Sequence, residues 1–314
     1  MKHLTTLLLT TLLLGGTAFA QLGNPLAQYS GNQLVYNPGY AGLYDLLSIN
    51  LSARKSWVGV PGSPAIISLN GHSPFENHRH SWGWIYQHEQ WGGLQGNMVY
   101  GNYAYKLNVA GGILNLGLQA GLLHHVVDWN KIDYVADPDD LTLGEDRDHS
   151  LRFDGSFGAY YLSTDWYAGF SAMHLAQPRY GIYKDLTTNK EWYSQMRSQF
   201  FLMGGYNYKI DEDWSLRPEV FMRYVHTTPF SVNVGAHAYY QNKYAVGMNF
   251  MTGQRTINFN LIAHITNDIR IGYSYGVSYG PIRKYQLGSH EISVSYSRPL
   301  WHESHSSYDS FFWL

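Results

Sequence analysis

The segment from Ile269 to Val277 sets Ile269, Ile271, Tyr273, Tyr275 and Val277 on one face and Arg270, Gly272, Ser274 and Gly276 on the other. Strict period-two alternation calls for a strand with one face in an apolar phase and the other in a wet one. A soluble sheet can satisfy that demand. Repeated over about fourteen short strands between Leu46 and Arg298, it points to a transmembrane antiparallel β-barrel with lipid outside and a polar lumen. Other outward faces read the same way: Leu47, Ile49, Leu51; Leu114, Leu116, Leu118, Ala120, Leu122; Val246, Met248, Phe250; and Ile257, Phe259, Leu261, Ala263, Ile265.

The strands fall near 46–56, 64–72, 81–89, 97–107, 112–124, 151–163, 165–174, 197–208, 214–224, 230–240, 244–252, 256–265, 268–278 and 289–298. Their connections run long then short. Ser163–Asp165, Lys209–Asp213, Gln241–Lys243 and Thr266–Asp268 are tight polar turns on every second connection, whereas 126–150 and 175–196 exceed ordinary hairpin loops. Bacterial outer-membrane barrels sort loop length by end and have an even strand count, which returns both termini to the periplasm. Twelve and sixteen are the neighbouring even counts.

Residues 1–20 carry Lys2 and His3, an apolar run from Leu7 to Leu14, and Ala18-Phe19-Ala20, the pattern of a cleaved secretory signal peptide. The chain thus divides into a signal peptide (1–20), a periplasmic lead-in (21–45), the barrel (46–298) and a C-terminal tail (299–314). Cysteine is absent, which excludes disulfides and a lipid anchor on cysteine. No apolar run reaches the roughly 20 residues of a spanning helix. The 27 Tyr and 10 Trp suit aromatic girdles at the membrane interfaces. Net charge is −2 with no basic run, so nucleic acid is not an expected partner.

On this register Arg54, Arg217, Glu219, Arg223, Asn249, Asn258 and Asn260 face inward, where they would pair across and fill a narrow lumen. Pro218, in mid-strand, predicts a bulge or local bend. The lead-in, rich in Asn, Gly and Pro, is expected to cover or enter the lumen, with contact to periplasmic machinery as the alternative.

Tyr36-Asn37-Pro38-Gly39-Tyr40-Ala41-Gly42, followed by Arg54, Trp57, Gly59, Gly62 and Pro64, and the closing Gly288-Ser289-His290-Glu291-Ile292, form a recognisable set. With His72, Pro74, Tyr103-Ala104-Tyr105 and Gly272-Tyr273-Ser274-Tyr275 between them, the chain resembles the PorP/SprF family of Bacteroidetes type IX secretion. The motif residues are Asn37, Pro38, Tyr40, Gly42, Arg54, Trp57, Pro64, His290 and Glu291; Gly39 stands where Ala is commoner in the family. The resemblance implies a non-enzymatic protein. It would be an accessory acceptor for the type B C-terminal sorting domain of a secreted surface protein, with gliding adhesins as the best-known cargo. The alternatives are a core component linked to the periplasmic ring and a passive pore.

Several clusters invite chemistry. The loop Asp128–Asp148 holds Asp133, Asp137, Asp139, Asp140, Glu145 and Asp146 against Lys131 and Arg147. Carboxylates suit calcium, but the spacing matches no EF-hand, so an open solvated loop is expected and no cofactor is assigned. His124 and His125 are neighbours on a strand and point apart, while His78 and His80 supply too few ligands for structural zinc. Ser289-His290-Glu291 has the letters of a triad but alternates faces, and G-x-S-x-G and H-E-x-x-H are missing. Trp91, Trp129, Tyr183, Trp192 and Tyr193 lie in external connections. Tyr183, Trp192 and Tyr193, with Asp137, Asp139 and Asp140, are therefore the expected partner-binding residues, because aromatics anchor interfaces.

Overall fold

In the computed structural model, residues 26–131, 147–184 and 191–300 are described, the side chains of 130, 181–184 and 191–193 excepted. The strands are β1 (Leu46–Lys55), β2 (Ala65–Pro74), β3 (His80–Trp91), β4 (Leu94–Val109), β5 (Gly112–Asp128), β6 (Arg147–Leu162) and β7 (Trp166–Met173). They continue with β8 (Arg179–Lys184), β9 (Glu191–Gln195), β10 (Gln199–Tyr206), β11 (Tyr208–Lys209), β12 (Trp214–Val225), β13 (Ser231–Tyr240), β14 (Tyr244–Met251), β15 (Thr256–His264), β16 (Ile269–Ser278) and β17 (Ser289–Pro299). Every barrel strand pairs antiparallel with its sequence neighbours, β1 pairs with β17, and β7 pairs with β10 across the β8–β9 hairpin. β11 prolongs β10, so the barrel closes with 14 staves and leaves no edge.

The alternation drives the closure. Leu51, Leu118, Leu122, Val246, Met248, Phe259 and Leu261 are exposed, while their neighbours Ser52, Gln119, Asn249 and Asn260 are buried in the lumen. In water such an outer face would be untenable; in lipid it is the stable one. Leu46 and Pro299 mark the near end of the barrel, Lys55 and His290 the far end. Around the near end the exposed aromatics Trp82, Tyr103, Trp166, Trp214, Tyr240 and Tyr244 form a belt, with the Trp214 and Tyr240 rings 5.0 Å apart. Amphipathic rings prefer that level of a membrane.

Strict alternation of connection lengths fails, and of the bulge or bend expected at Pro218 the bulge does not form. The connection between β3 and β4 at the far end is Gly92-Gly93 alone, so long and short connections do not alternate strictly. Gly92 takes φ 53, a conformation that closes a two-residue hairpin without Cβ strain. No bulge occurs at Pro218: the register with β13 runs through Pro218↔Ala236 unshifted. On the other side the pairing is the same before and after the gap, Gly205↔Glu219 and Tyr208↔Leu216. Pro218 has no N–H to give, so the ladder skips a step and β10 is cut from β11 at Asn207.

The lumen is filled by the chain's own segment 26–45, not by cross-lumen pairs. It begins level with Glu291 in the far half, descends through two 3₁₀ turns (Tyr29–Val35 and Pro38–Tyr40), and joins β1 at the near end. Its Tyr29, Leu34, Tyr36, Tyr40, Leu43 and Tyr44 pack in one buried cluster with wall residues Ile85, Met98, Tyr100, Tyr160, Phe201 and Phe221. The lumen is therefore two-sided. The buried aromatic and apolar cluster lies on β3–β7, β10 and β12, among polar side chains that include Asn115, Asp154, Arg217 and Arg223, whereas β1, β2 and β13–β17 present mainly Asn, Ser and Arg.

Candidate functional site

The family-type motif residues converge on this plug and its sockets. Asn37 caps the Pro38–Tyr40 turn, its Oδ1 accepting from Gly39 N at 2.8 Å. Its Nδ2 donates to Ala159 O (3.1 Å) on β6 and Phe170 O (3.2 Å) on β7. Asn115 on β5 donates to Gly39 O (2.7 Å) and Ala41 O (2.9 Å). The turn lies directly on bare backbone: a Cβ on Gly117 would fall 2.2 Å from Pro38 C, and one on Gly158 2.1 Å from Asn37 Oδ1. Gly117 and Gly158 are register partners, so the wall offers a flat two-glycine seat. Inward glycine in a strand marks close backbone approach.

Tyr40 stacks edge-on with Tyr44, His72 and Tyr160, and Tyr160 Oη donates to Gln33 Oε1 at 2.7 Å. Gly42 turns the chain with φ 61 and donates its N–H to His72 Nδ1 at 3.1 Å. A side chain there would strike Ser81 Oγ at 2.2 Å. The exit of the plug is fixed by Asp45, whose Oδ1 pairs with Lys106 Nζ and lies 3.3 Å from His78 Nδ1.

The top of the plug hangs on Glu291. Its Oε2 accepts from Ala27 N (2.6 Å) and Arg54 Nη1 (3.1 Å), and its Oε1 from Gln28 N (3.0 Å). Arg54 also reaches Gln254 Oε1 at 3.0 Å. Both charges are buried, so each is satisfied by the other and by hydrogen bonds, the condition under which buried ions persist. Asn249 Nδ2 donates to Ala27 O (2.7 Å), Asn50 Nδ2 to Gly31 O (3.1 Å), and Ser171 Oγ to Tyr36 O (2.5 Å). The segment is thus bonded to β1, β5, β6, β7, β14 and β17, on opposite sides of the barrel.

The remaining motif residues sit at the far rim. Trp57, at φ 50, donates its N–H to Ser289 Oγ (3.1 Å), and Pro64 O accepts from Ser56 N (2.9 Å), closing the β1–β2 loop. His290 points to the outer face and bonds Tyr273 Oη at 2.7 Å, opposite to Glu291 on the inner face. Ser289, His290 and Glu291 do not meet.

Asp137, Asp139 and Asp140 lie outside the described residues. Of Tyr183, Trp192 and Tyr193 only the backbone is described; Tyr183 pairs with Trp192 in the β8–β9 hairpin, which lies between β7 and β10 at the far end. His124 stacks on His149 (5.5 Å), while His125 faces the other way and stacks on Tyr180 (4.3 Å). Among the described residues no group of three metal-ligating side chains occurs. The sequence reading missed Asn115, Gln33 and the Gly117–Gly158 seat. An inward glycine next to outward leucines was the available signal.

Comparison with solved structures gives the fold alone. CymD, a monoaromatic hydrocarbon channel, aligns at TM-score 0.52 and 11% identity over 91% of this chain and 96% of that one. The Pseudomonas putida toluene transporter TodX aligns at TM-score 0.50 and 10% identity over 88% and 95%. Sequence comparison with curated proteins gives no match. The model of type IX secretion system membrane protein PorP/SprF, in contrast, matches residues 18–296, nearly the whole barrel and its plug. The chain is an integral outer-membrane β-barrel belonging to the PorP/SprF family of type IX secretion membrane proteins.

Proposed function

We propose that this barrel is an accessory acceptor of type IX secretion. Its far end faces the cell exterior, and it binds the type B C-terminal sorting domain of a large adhesin-like surface protein for export or attachment. The observation that carries this reading is the plug. Residues 26–45 fill the lumen and are bonded to strands on opposite sides of the barrel, which favours the rim as the working surface. The same observation speaks against the passive pore. In this reading the protein performs no catalysis and holds no cofactor.

The β8–β9 hairpin, with Tyr183, Trp192 and Tyr193, and the loop carrying Asp137, Asp139 and Asp140 are assigned to the partner. Aromatic anchors within a polar rim suit a protein interface. The test is a tagged pull-down from detergent-solubilised outer membranes with mass spectrometry, run on the native chain and on one with Trp192→Ala and Tyr193→Ala. One dominant large surface protein, lost with the double variant, is the expected result. Recovery of periplasmic ring and lipoprotein components instead makes the protein a core component, and a barrel without partner refutes the acceptor reading.

A further inference from the structure

Above the plug, in the far half of the lumen, a cavity of about 170 Å³ remains. Its floor is Val35 and Tyr36; its walls combine Met98, Tyr100 and Phe201 with the polar Glu89, His174 and Arg223; Tyr180, at the base of the β8–β9 hairpin, closes one side by stacking on His125. A cavity of roughly 150 Å³ lined by apolar groups accepts one benzene ring. The size and the aromatic walls therefore match a single ring, which pairs edge-on or offset with Tyr100, Phe201 and Tyr36.

The polar groups of the same cavity are unfinished. Tyr180 Oη and Gln119 Oε1, on residues each 4% exposed, have no hydrogen-bond partner among the described residues. Trp91 Nε1 and His125 Nε2, on residues that line the same space, have none among the described residues either. Buried polar atoms are almost always satisfied, and several orphans around one void indicate a missing partner. Together they offer a donor at Trp91 and an acceptor at Gln119, a set that a hydroxyl, both donor and acceptor, completes.

We propose that this cavity is a binding site for one aromatic ring carrying a hydrogen-bonding group, of phenol or tyrosyl type. The ring comes either from a free small molecule or from the side chain of a polypeptide docked on the rim. Polar groups of Trp91, Gln119, His125 and Tyr180 orient the hydroxyl, and Tyr100 and Phe201 hold the ring. The site stands on the cavity's own chemistry and does not depend on the acceptor reading.

The probe is 4-fluorophenol, followed by ¹⁹F NMR line broadening with the full-length protein in detergent. Gly96, on β4, lines the cavity, and the nearest atoms to a Cβ there are side-chain atoms of His125 and Met98 at 3.5–3.6 Å, so Gly96→Phe fills the space without backbone conflict. Saturable broadening by the native protein, abolished in Gly96→Phe and weakened about fivefold in Tyr180→Phe and in Gln119→Leu, is expected. Heat-modifiable gel mobility verifies that each variant is a folded barrel. Competition by N-acetyltyrosinamide assigns the polypeptide source; binding of the free phenol alone assigns the small molecule. No saturable broadening in the native protein, or equal broadening in folded Gly96→Phe, overturns the proposal and leaves a cavity for water only.

Discussion

Glu291 on β17 and Arg54 on β1 are register partners, and their side chains meet at 3.1 Å where neither is accessible to solvent. The same carboxylate receives the N–H groups of Ala27 and Gln28. One residue of the closing strand thereby staples the first strand and the luminal plug together. This explains why the two ends of the family motif, far apart in sequence, belong to one structural device.

Removing that carboxylate leaves the Arg54 guanidinium buried and unpaired. Glu291→Ala is expected to destabilise the barrel by about 3–5 kcal/mol, since breaking one side of a buried ion pair costs that much. Glu291→Gln keeps the shape and one of the two acceptor oxygens, and is expected to cost less. Thermal unfolding in detergent, followed by gel mobility, ranks the two; equal stability of native and Glu291→Ala protein contradicts the staple.

The glycine seat gives a second prediction. In Gly158→Val the new side chain occupies the space of Asn37 Oδ1, which has its own bonds to Gly39 and, through Nδ2, to β6 and β7. The turn must lift off the wall. Limited proteolysis of intact outer membranes is expected to cut the 26–45 segment in this variant and not in the native protein.

Asn37→Ala probes the same turn without adding bulk. It deletes three hydrogen bonds, each worth about 0.5–1.5 kcal/mol net. A loss of about 2–4 kcal/mol in denaturant-induced unfolding is expected, larger than for Ser48→Ala, whose hydroxyl bonds only Ser297 Oγ.

The outer face is tested by charge. Leu51 lies midway along β1, between Val294 and Leu69, and is 45% exposed. Leu51→Arg is expected to cost about 2–4 kcal/mol in lipid because the charge meets the bilayer midplane. The measurement is folding into vesicles under urea; a cost near zero would place that face in water.

The outer half of this fold was legible and the inner half was not. Ile49, Leu51, Val246, Met248 and the Ile269–Val277 face alternate because lipid permits only apolar side chains, a constraint that acts on every strand alike. The inner face answers to what fills it. Ile85, Met98, Tyr100, Phe201 and Phe221 point inward to meet Leu34, Tyr36 and Tyr29, so they blur the alternation that a water-filled lumen would keep. The plug itself has no periodicity: its bonds run from backbone N–H and C=O groups to distant wall side chains such as Asn115, Asn249 and Glu291, pairings that only the closed barrel creates. Inward Asn and Arg suggested pairing across the lumen, but the filler is residues 26–45, part of the lead-in expected to cover or enter it.

The central claim is that the barrel is closed by its own chain and works at its rim. The most direct test is single-channel recording in planar bilayers of the native protein beside one lacking residues 26–44. The account predicts silence for the native protein and steady conductance once the plug is gone. Steady large conductance from the intact chain would contradict it.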